Sequence, residues 1–193
     1  MRKPGEKIGE GHFRECFSVE GETGLCIKML KPGLSRLQKL HLFILRRDIN
    51  LEEYRTFSSL PRELKPYFSP VVELGSNYLV TGRPVDYDGN HSAPLSAYGK
   101  VSNRHFWKDI DRIVSLFEKH DIWLFDIFRL GENVFVQKLS EDVWKPVIVD
   151  YKRQGWKSYP AQLNLLLSSE RKKKFFRRFR RFQESFRKDG ILR

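Results

Sequence analysis

The chain has 193 residues, 36 Lys and Arg against 24 Asp and Glu, and a formal net charge of +12. At this length about 70% of the unfolded surface is buried, so one domain, or two packed lobes, holds a core without disulfides. An aromatic content of 13% excludes a disordered chain, and the composition excludes collagen-like and disulfide-scaffold proteins.

Cys16 and Cys26 lie inside apolar stretches and read as buried thiols of a reducing compartment, with pairing as the alternative. No segment approaches the roughly 20 apolar residues that span a bilayer. The charges of residues 1–7 have no apolar run behind them, so no secretory signal is expected and the expected location is the cytoplasm. A basic chain calls for an anionic partner: nucleic acid, a membrane, or a phosphate-bearing substrate.

Residues 7–11 read as a strand ending in a Gly turn. Residues 14–19 form a second strand, and residues 25–30 a third after the turn Glu20-Gly21-Glu22-Thr23-Gly24. Lys31-Pro32-Gly33 breaks the sheet. Leu37, Leu40 and Ile44 step at helical spacing, and a second helix runs over about residues 50–60 until Pro61. Residues 71–74 and 77–81 are two more strands around Gly75. Residues 82–99 hold five Gly and Pro and read as a hinge.

Beyond the hinge, Phe106, Trp107, Ile110, Ile113, Val114 and Phe117 mark one face of a helix over residues 102–120, capped by Ser102 or Asn103. Residues 133–137 and 146–150 are short strands, and residues 163–167 are helical. Residues 170–188 carry ten Lys and Arg against two Glu, two-thirds of the net charge. Phe175, Phe179, Phe182 and Phe186 step by 4, 3 and 4 along them, with Phe176 alongside, so the rings share a helix face. Either that face docks on the core beneath a solvated basic face, or the segment meets an anionic membrane or RNA. The rest of the chain is only mildly basic, so its body need not be a nucleic-acid groove.

Several residues carry chemistry in combination. Gly9-Glu10-Gly11 joins two strands, which disfavours a dinucleotide fingerprint, since that needs a following helix, and suits a loop covering phosphates. Lys28 lies mid-strand on the face it shares with Cys26 and Leu30, and it needs a partner. Glu53 on the following helix is the candidate, with Glu52 as rival. Asn133 and Asp150 stand at the ends of adjacent short strands and offer hard oxygen ligands for Mg²⁺. Asp126, in the loop before them, is placed to orient or deprotonate an acceptor hydroxyl. No His or Cys cluster has metal spacing, and no GxxxxGK[ST] loop or serine-nucleophile motif is present.

The order GxG, strand Lys, helix Glu, hinge, helix, loop Asp, Asn, strand-end Asp resembles the protein-kinase-like superfamily. Within it the chain looks like the YrbL family, named for a PhoP regulatory network protein, over nearly its whole length. The residues that carry this are the run from Gly9 to Phe17, Cys26-Ile27-Lys28, Gly131-Glu132-Asn133, Val149-Asp150 and the basic C-terminal helix. A similar order of loop and strands occurs in bacterial lipopolysaccharide-core sugar kinases.

The resemblance implies that Gly9, Gly11 and Lys28 contact ATP phosphates, that Glu53 pairs with Lys28, and that Asn133 and Asp150 bind Mg²⁺. It places the segment from Thr81 to Val85 against the adenine. Three departures stand out. Arg14 replaces the third loop glycine, and Asp150-Tyr151-Lys152 lacks the glycine of DFG. Leu124-Phe125-Asp126 replaces HRD, with Asp126 seven residues before Asn133 rather than five. Only 43 residues follow Asp150, with no APE-like segment, which argues against an ordinary protein kinase.

The expected fold is α+β: a small two-lobed kinase-like domain with an antiparallel N-lobe sheet over residues 1–85 and a mainly helical C-lobe over residues 86–193. The expected function is ATP- and Mg²⁺-dependent phosphoryl transfer to a hydroxyl of a small or lipid-linked acceptor, such as an envelope sugar. Residues 170–188 would then hold the protein peripherally at the inner membrane. The alternatives are a nucleotide-binding pseudokinase, or an RNA- or membrane-binding protein acting through its basic helix.

Overall fold

A computed structural model of the chain describes residues 2–44, 48–124, 126–151 and 168–188. It is an α+β protein built on an antiparallel five-stranded sheet, with several helices and a second, three-stranded sheet. Among the described residues no helix is long and apolar enough to cross a membrane.

The first sheet contains β1 (Pro4–Glu10), β2 (Arg14–Val19), β3 (Glu22–Leu30), β4 (Val71–Leu74) and β5 (Tyr78–Gly82), in the order β1-β2-β3-β5-β4. All five strands were expected. β1 and β3 run longer than their sequence signals because their partners extend them: Pro4 pairs with Val19, and Val19 with Glu22. Gly21, at φ 74°, makes the tight β2–β3 turn that a side chain would strain. Strand alternation gives this sheet two unlike faces. Val19, Ile27 and Val80 form a small apolar cluster on one, while Cys26, Lys28, Leu79 and Thr81 alternate onto the other.

α1 (Arg36–Ile44) and α2 (Ile49–Ser59) follow β3. Asp48 starts α2 by accepting a hydrogen bond from the Leu51 amide, and Leu60 ends it just before Pro61, where the helix was expected to stop. Beyond β5 come β6 (Ala93–Pro94), α3 (Leu95–Tyr98), α4 (Arg104–Lys119), β7 (Val134–Lys138) and β8 (Trp144–Ile148). The short β6 and α3 fall in the segment read as a hinge. α4 is capped by the side chain of Asn103, whose Oδ1 accepts from the Phe106 amide at 3.0 Å.

The two short strands sit one or two residues away from their expected places. Ladder pairing runs from Val134↔Ile148 to Lys138↔Trp144. Asn133 and Asp150 therefore lie just outside the sheet rather than in it, at the same end, where the Val149 amide bonds to the Asn133 carbonyl. The proposed helix over residues 163–167 lies outside the described residues.

α5 (Ser168–Phe186) is the basic helix, and its phenylalanine face is core. Phe175, Phe179 and Phe182 are buried among Trp107, Phe117, Trp123 and Phe128. Lys172 pairs with Glu118, Gln183 donates to Asp111 at 3.4 Å, and the Arg187 guanidinium lies 5.4 Å from the Trp107 ring. Rising numbers on α5 meet falling numbers on α4, so the two helices run antiparallel. At the far end the Val101 amide donates to the Phe186 carbonyl at 2.7 Å. Gly131, at φ 69°, faces Phe186 so closely that an added Cβ would come within 2.7 Å of its ring. Lys172, Lys173, Arg177, Arg180 and Arg181 are left on the exposed side.

Candidate functional site

Lys28 lies opposite Cys16 on β2 and Leu79 on β5. Its side chain is buried, and its Nζ donates to Glu53 Oε1 at 2.6 Å. Glu53, rather than Glu52, is the partner, and it has 0% of its surface exposed. The other Glu53 oxygen accepts from Arg14 Nη2 at 2.6 Å. Arg14 is itself 6% exposed, donates through Nη1 to Asn50 Oδ1 at 3.1 Å, and donates through Nη2 to Asp150 Oδ1. Asn50 and Glu53 are three residues apart on α2 and so share its face. One arginine thereby ties together β2, α2 and the residue that follows β8.

Two buried cations share one buried carboxylate, and their protonation follows from that. Burial pulls Lys28 toward its neutral form, and so does Arg14, but Glu53 and Asp150 outweigh both and hold its pKa above the ordinary value. Burial likewise opposes the charge on Arg14, and Glu53 and Asp150 again prevail. Cys16 and Cys26 are free thiols on the same sheet face. A hydrogen bond between them pulls the pKa of Cys26 down and pushes that of Cys16 up. Cys26 also contacts Thr81 Oγ1 at 3.2 Å.

Asp150 adopts a left-handed backbone, φ 49°, a conformation Asp tolerates better than most residues but which still costs on the order of 1 kcal/mol. It is held there from both sides. The Val149 amide donates to the Asn133 carbonyl at 2.9 Å, and the buried Tyr151 hydroxyl donates to the Ser69 carbonyl at 2.5 Å. The Tyr151 ring packs edge-on to Phe68 at 4.9 Å and lies 6.3 Å from Phe57 of α2.

Asn133 reaches back across its loop: its Nδ2 donates to the Asp126 carbonyl at 3.2 Å. That bond closes the seven-residue separation and seats Asp126 beside Asn133. The Asp126 carboxylate accepts from Arg178 Nη1 of α5 at 3.2 Å. Gly9 pairs with Cys16, and the Gly11 amide donates to the Arg14 carbonyl at 2.8 Å to close the turn above this face. Val85 is tied to the second sheet: its carbonyl accepts from Gln137 Nε2 at 2.8 Å, and it bridges to His91.

The fold thus links Lys28, Glu53 and Asp150 through Arg14, and Asp150 to Asn133 and Asp126 along the backbone. The sequence reading treated Arg14 only as a lost glycine, and it missed Asn50 and Tyr151. Strand alternation places Arg14 on the face of Cys16, across from Lys28, so the signal was present. Chemically, two cations lie beneath a glycine turn, with carboxylate and amide oxygens at one strand end. A hard divalent cation suits Asn133 Oδ1 and Asp150. Among the described residues no group of three or more His, Cys, Asp or Glu could hold a metal ion, so a cation here would complete its shell with phosphate and water oxygens. Set against protein-family models and against curated proteins, the chain matches none of them.

Proposed function

We propose that the chain is a small two-lobed, protein-kinase-like phosphotransferase of the YrbL type that binds ATP with Mg²⁺. Its acceptor is a hydroxyl of a small or lipid-linked molecule, such as an envelope sugar. The observation that carries this reading is the buried Lys28–Glu53–Arg14–Asp150 network. Replacing a buried ion pair with apolar residues is often neutral or stabilising, so stability alone is a weak reason to keep one. A perturbed, desolvated cluster beside a turn and a strand end is better explained as a binding site.

The glycines add support. An added Cβ at Gly9 or Gly11 would meet its nearest neighbour at 3.7 or 3.6 Å, an ordinary contact, so the fold does not demand glycine at either position. Close approach of a phosphate to the backbone does. On this reading Lys28 contacts the phosphates and Glu53 holds its ammonium. Asp126 orients the acceptor hydroxyl and takes its proton as the oxygen attacks, and the segment from Thr81 to Val85 lies against the adenine. Asn133 and Asp150 would hold Mg²⁺, which supplies charge neutralisation on the phosphates when bound. Catalysis is mostly positioning and electrostatics.

The test is equilibrium ATP binding with and without Mg²⁺. Lys28→Ala is expected to weaken binding at least tenfold, a loss of about 1.4 kcal/mol or more. Asp150→Asn is expected to remove whatever increment Mg²⁺ provides. Folded wild-type protein that binds no ATP in either condition would overturn the reading.

One observation favours a second reading, a nucleotide-binding pseudokinase: the Asp126 and Asp150 carboxylates are both engaged by arginines, Arg178 and Arg14. Turnover decides between the two. Phosphoryl transfer or ATP hydrolysis that Asp126→Asn abolishes, with ATP affinity unchanged, supports the enzyme.

We also infer attachment to an anionic inner-membrane surface through the exposed side of α5. Its phenylalanines are spent on the core, so attachment is electrostatic only, at about 1 kcal/mol for each basic residue near the surface. Sedimentation with phosphatidylserine-containing vesicles is expected at low salt and lost at high salt, with none to phosphatidylcholine alone. Salt-insensitive binding, or binding to neutral vesicles, would contradict it, and preference for RNA over vesicles would favour the nucleic-acid alternative.

A further inference from the structure

Arg14 stands where the kinase-like pattern has glycine, and its placement is specific. It opens β2 directly after the Gly9–Gly11 turn and shares a strand face with Cys16, opposite Lys28. It is 6% exposed and bonds to Glu53, Asn50 and Asp150, which come from two other parts of the fold. The Asp150 side chain, by contrast, is 41% exposed, so one end of the network can be reached by ions and phosphates. A divalent cation that coordinates Asp150 must compete with a guanidinium already bonded to it. A phosphate chain approaching without metal meets an aspartate whose charge is already offset.

Resting on the nucleotide-binding reading above, we propose that Arg14 is a resident counter-cation of the phosphate site, holding Asp150 in the free protein and setting how strongly nucleotide binding depends on a divalent metal. With Arg14 present, ATP binds even without metal, and the increment Mg²⁺ provides is smaller than it would be without the guanidinium. With Arg14 neutralised, Asp150 loses the guanidinium's charge and repels the phosphates more strongly until a metal covers it. The two effects act in opposite directions on the two affinities, which a loss of structure would not do.

The experiment measures the ATP dissociation constant in EDTA and in Mg²⁺ for wild type, Arg14→Gln and Arg14→Lys, each first checked for cooperative unfolding. The ratio of the EDTA value to the Mg²⁺ value is expected to rise at least about tenfold in Arg14→Gln, on the scale of one close charge contact. Arg14→Lys, which keeps the charge, should return the ratio most of the way to wild type. Equal weakening in both conditions, with the ratio unchanged, would mean that Arg14 is only structural and would overturn the proposal.

A second arm omits nucleotide and titrates Mn²⁺, read by electron paramagnetic resonance. Arg14→Gln should bind Mn²⁺ at least about tenfold more tightly than wild type, and adding Asp150→Asn should abolish the gain. If wild type binds no ATP but this gain appears, the nucleotide reading falls and the competition at Asp150 stands. No gain in Mn²⁺ affinity, and no gain in the ATP ratio, defeats it. Should Arg14→Gln fail to fold, Arg14→Met carries the same comparison with the volume kept and the charge removed.

Discussion

Glu53→Ala is expected to destabilise the protein by about 3–5 kcal/mol, because it strands two buried cations at once. Lys28 and Arg14 both bond to that carboxylate at 2.6 Å, and Glu53 is fully enclosed. Urea unfolding should show the midpoint falling with little change in slope. The informative companion is the triple variant Arg14→Met, Lys28→Met, Glu53→Met. An apolar replacement of similar volume restores much of the stability when the whole buried charge group is removed together. Recovered stability with no ATP binding would separate the cluster's role in the site from its role in the fold. A single Glu53→Ala variant as stable as wild type would mean that the network is not buried in solution.

Phe175→Ala is expected to cost about 3–5 kcal/mol, the range for emptying a large aromatic site in a core. The Phe175 ring is 1% exposed and lies 5.3 Å from Trp123, 5.6 Å from Phe128 and 5.7 Å from Phe117. For a chain of this size the melting temperature should fall by about 6–20 °C. Truncation after residue 167 should go further, exposing Trp107, Trp123 and Phe128 and leaving no cooperative unfolding transition. Neutralising Arg177, Arg180 and Arg181 should instead change stability by no more than about 0.5 kcal/mol per residue. A truncated chain that still unfolds cooperatively would return α5 to the role of an appended, purely surface-binding segment. These paired variants also settle how to test membrane attachment, since deleting the helix destroys the fold whereas neutralising its outer side removes only charge.

Local pattern made much of this legible. All five strands of the first sheet, α2 with its stop at Pro61, and α4 with a cap at Ser102 or Asn103 follow from alternation, helical spacing and punctuation, which depend on neighbours in the chain. The 4-3-4 spacing of phenylalanines placed them on one helix face, yet two fates stayed open for that face. Periodicity states which side chains share a side and says nothing of what covers it. Only packing against α4 and the loop holding Trp123 and Phe128 decided for the core.

The candidate site divides in the same way. Sequence order singled out Gly9, Gly11, Lys28, Asp126, Asn133 and Asp150, and offered Glu53, with Glu52 as rival, as the partner of Lys28. Choosing Glu53 over Glu52 required the rotation of α2 against the sheet, because adjacent helix positions differ by about 100° and only one can face Lys28. The bond from Asn133 to Asp126 depends on how a loop closes, and no propensity encodes that. Arg14 is the clearest case. Its position after the glycine turn and its strand face are readable from the chain, but its partners lie 36, 39 and 136 residues away. A long, cationic side chain becomes a buried bridge only where two remote elements, α2 and the end of β8, bring it carboxylates and an amide. The sequence by itself determined the elements and the chemistry available. The tertiary structure alone decided which charges meet, because ion pairs form through space between segments whose separation along the chain carries no signal.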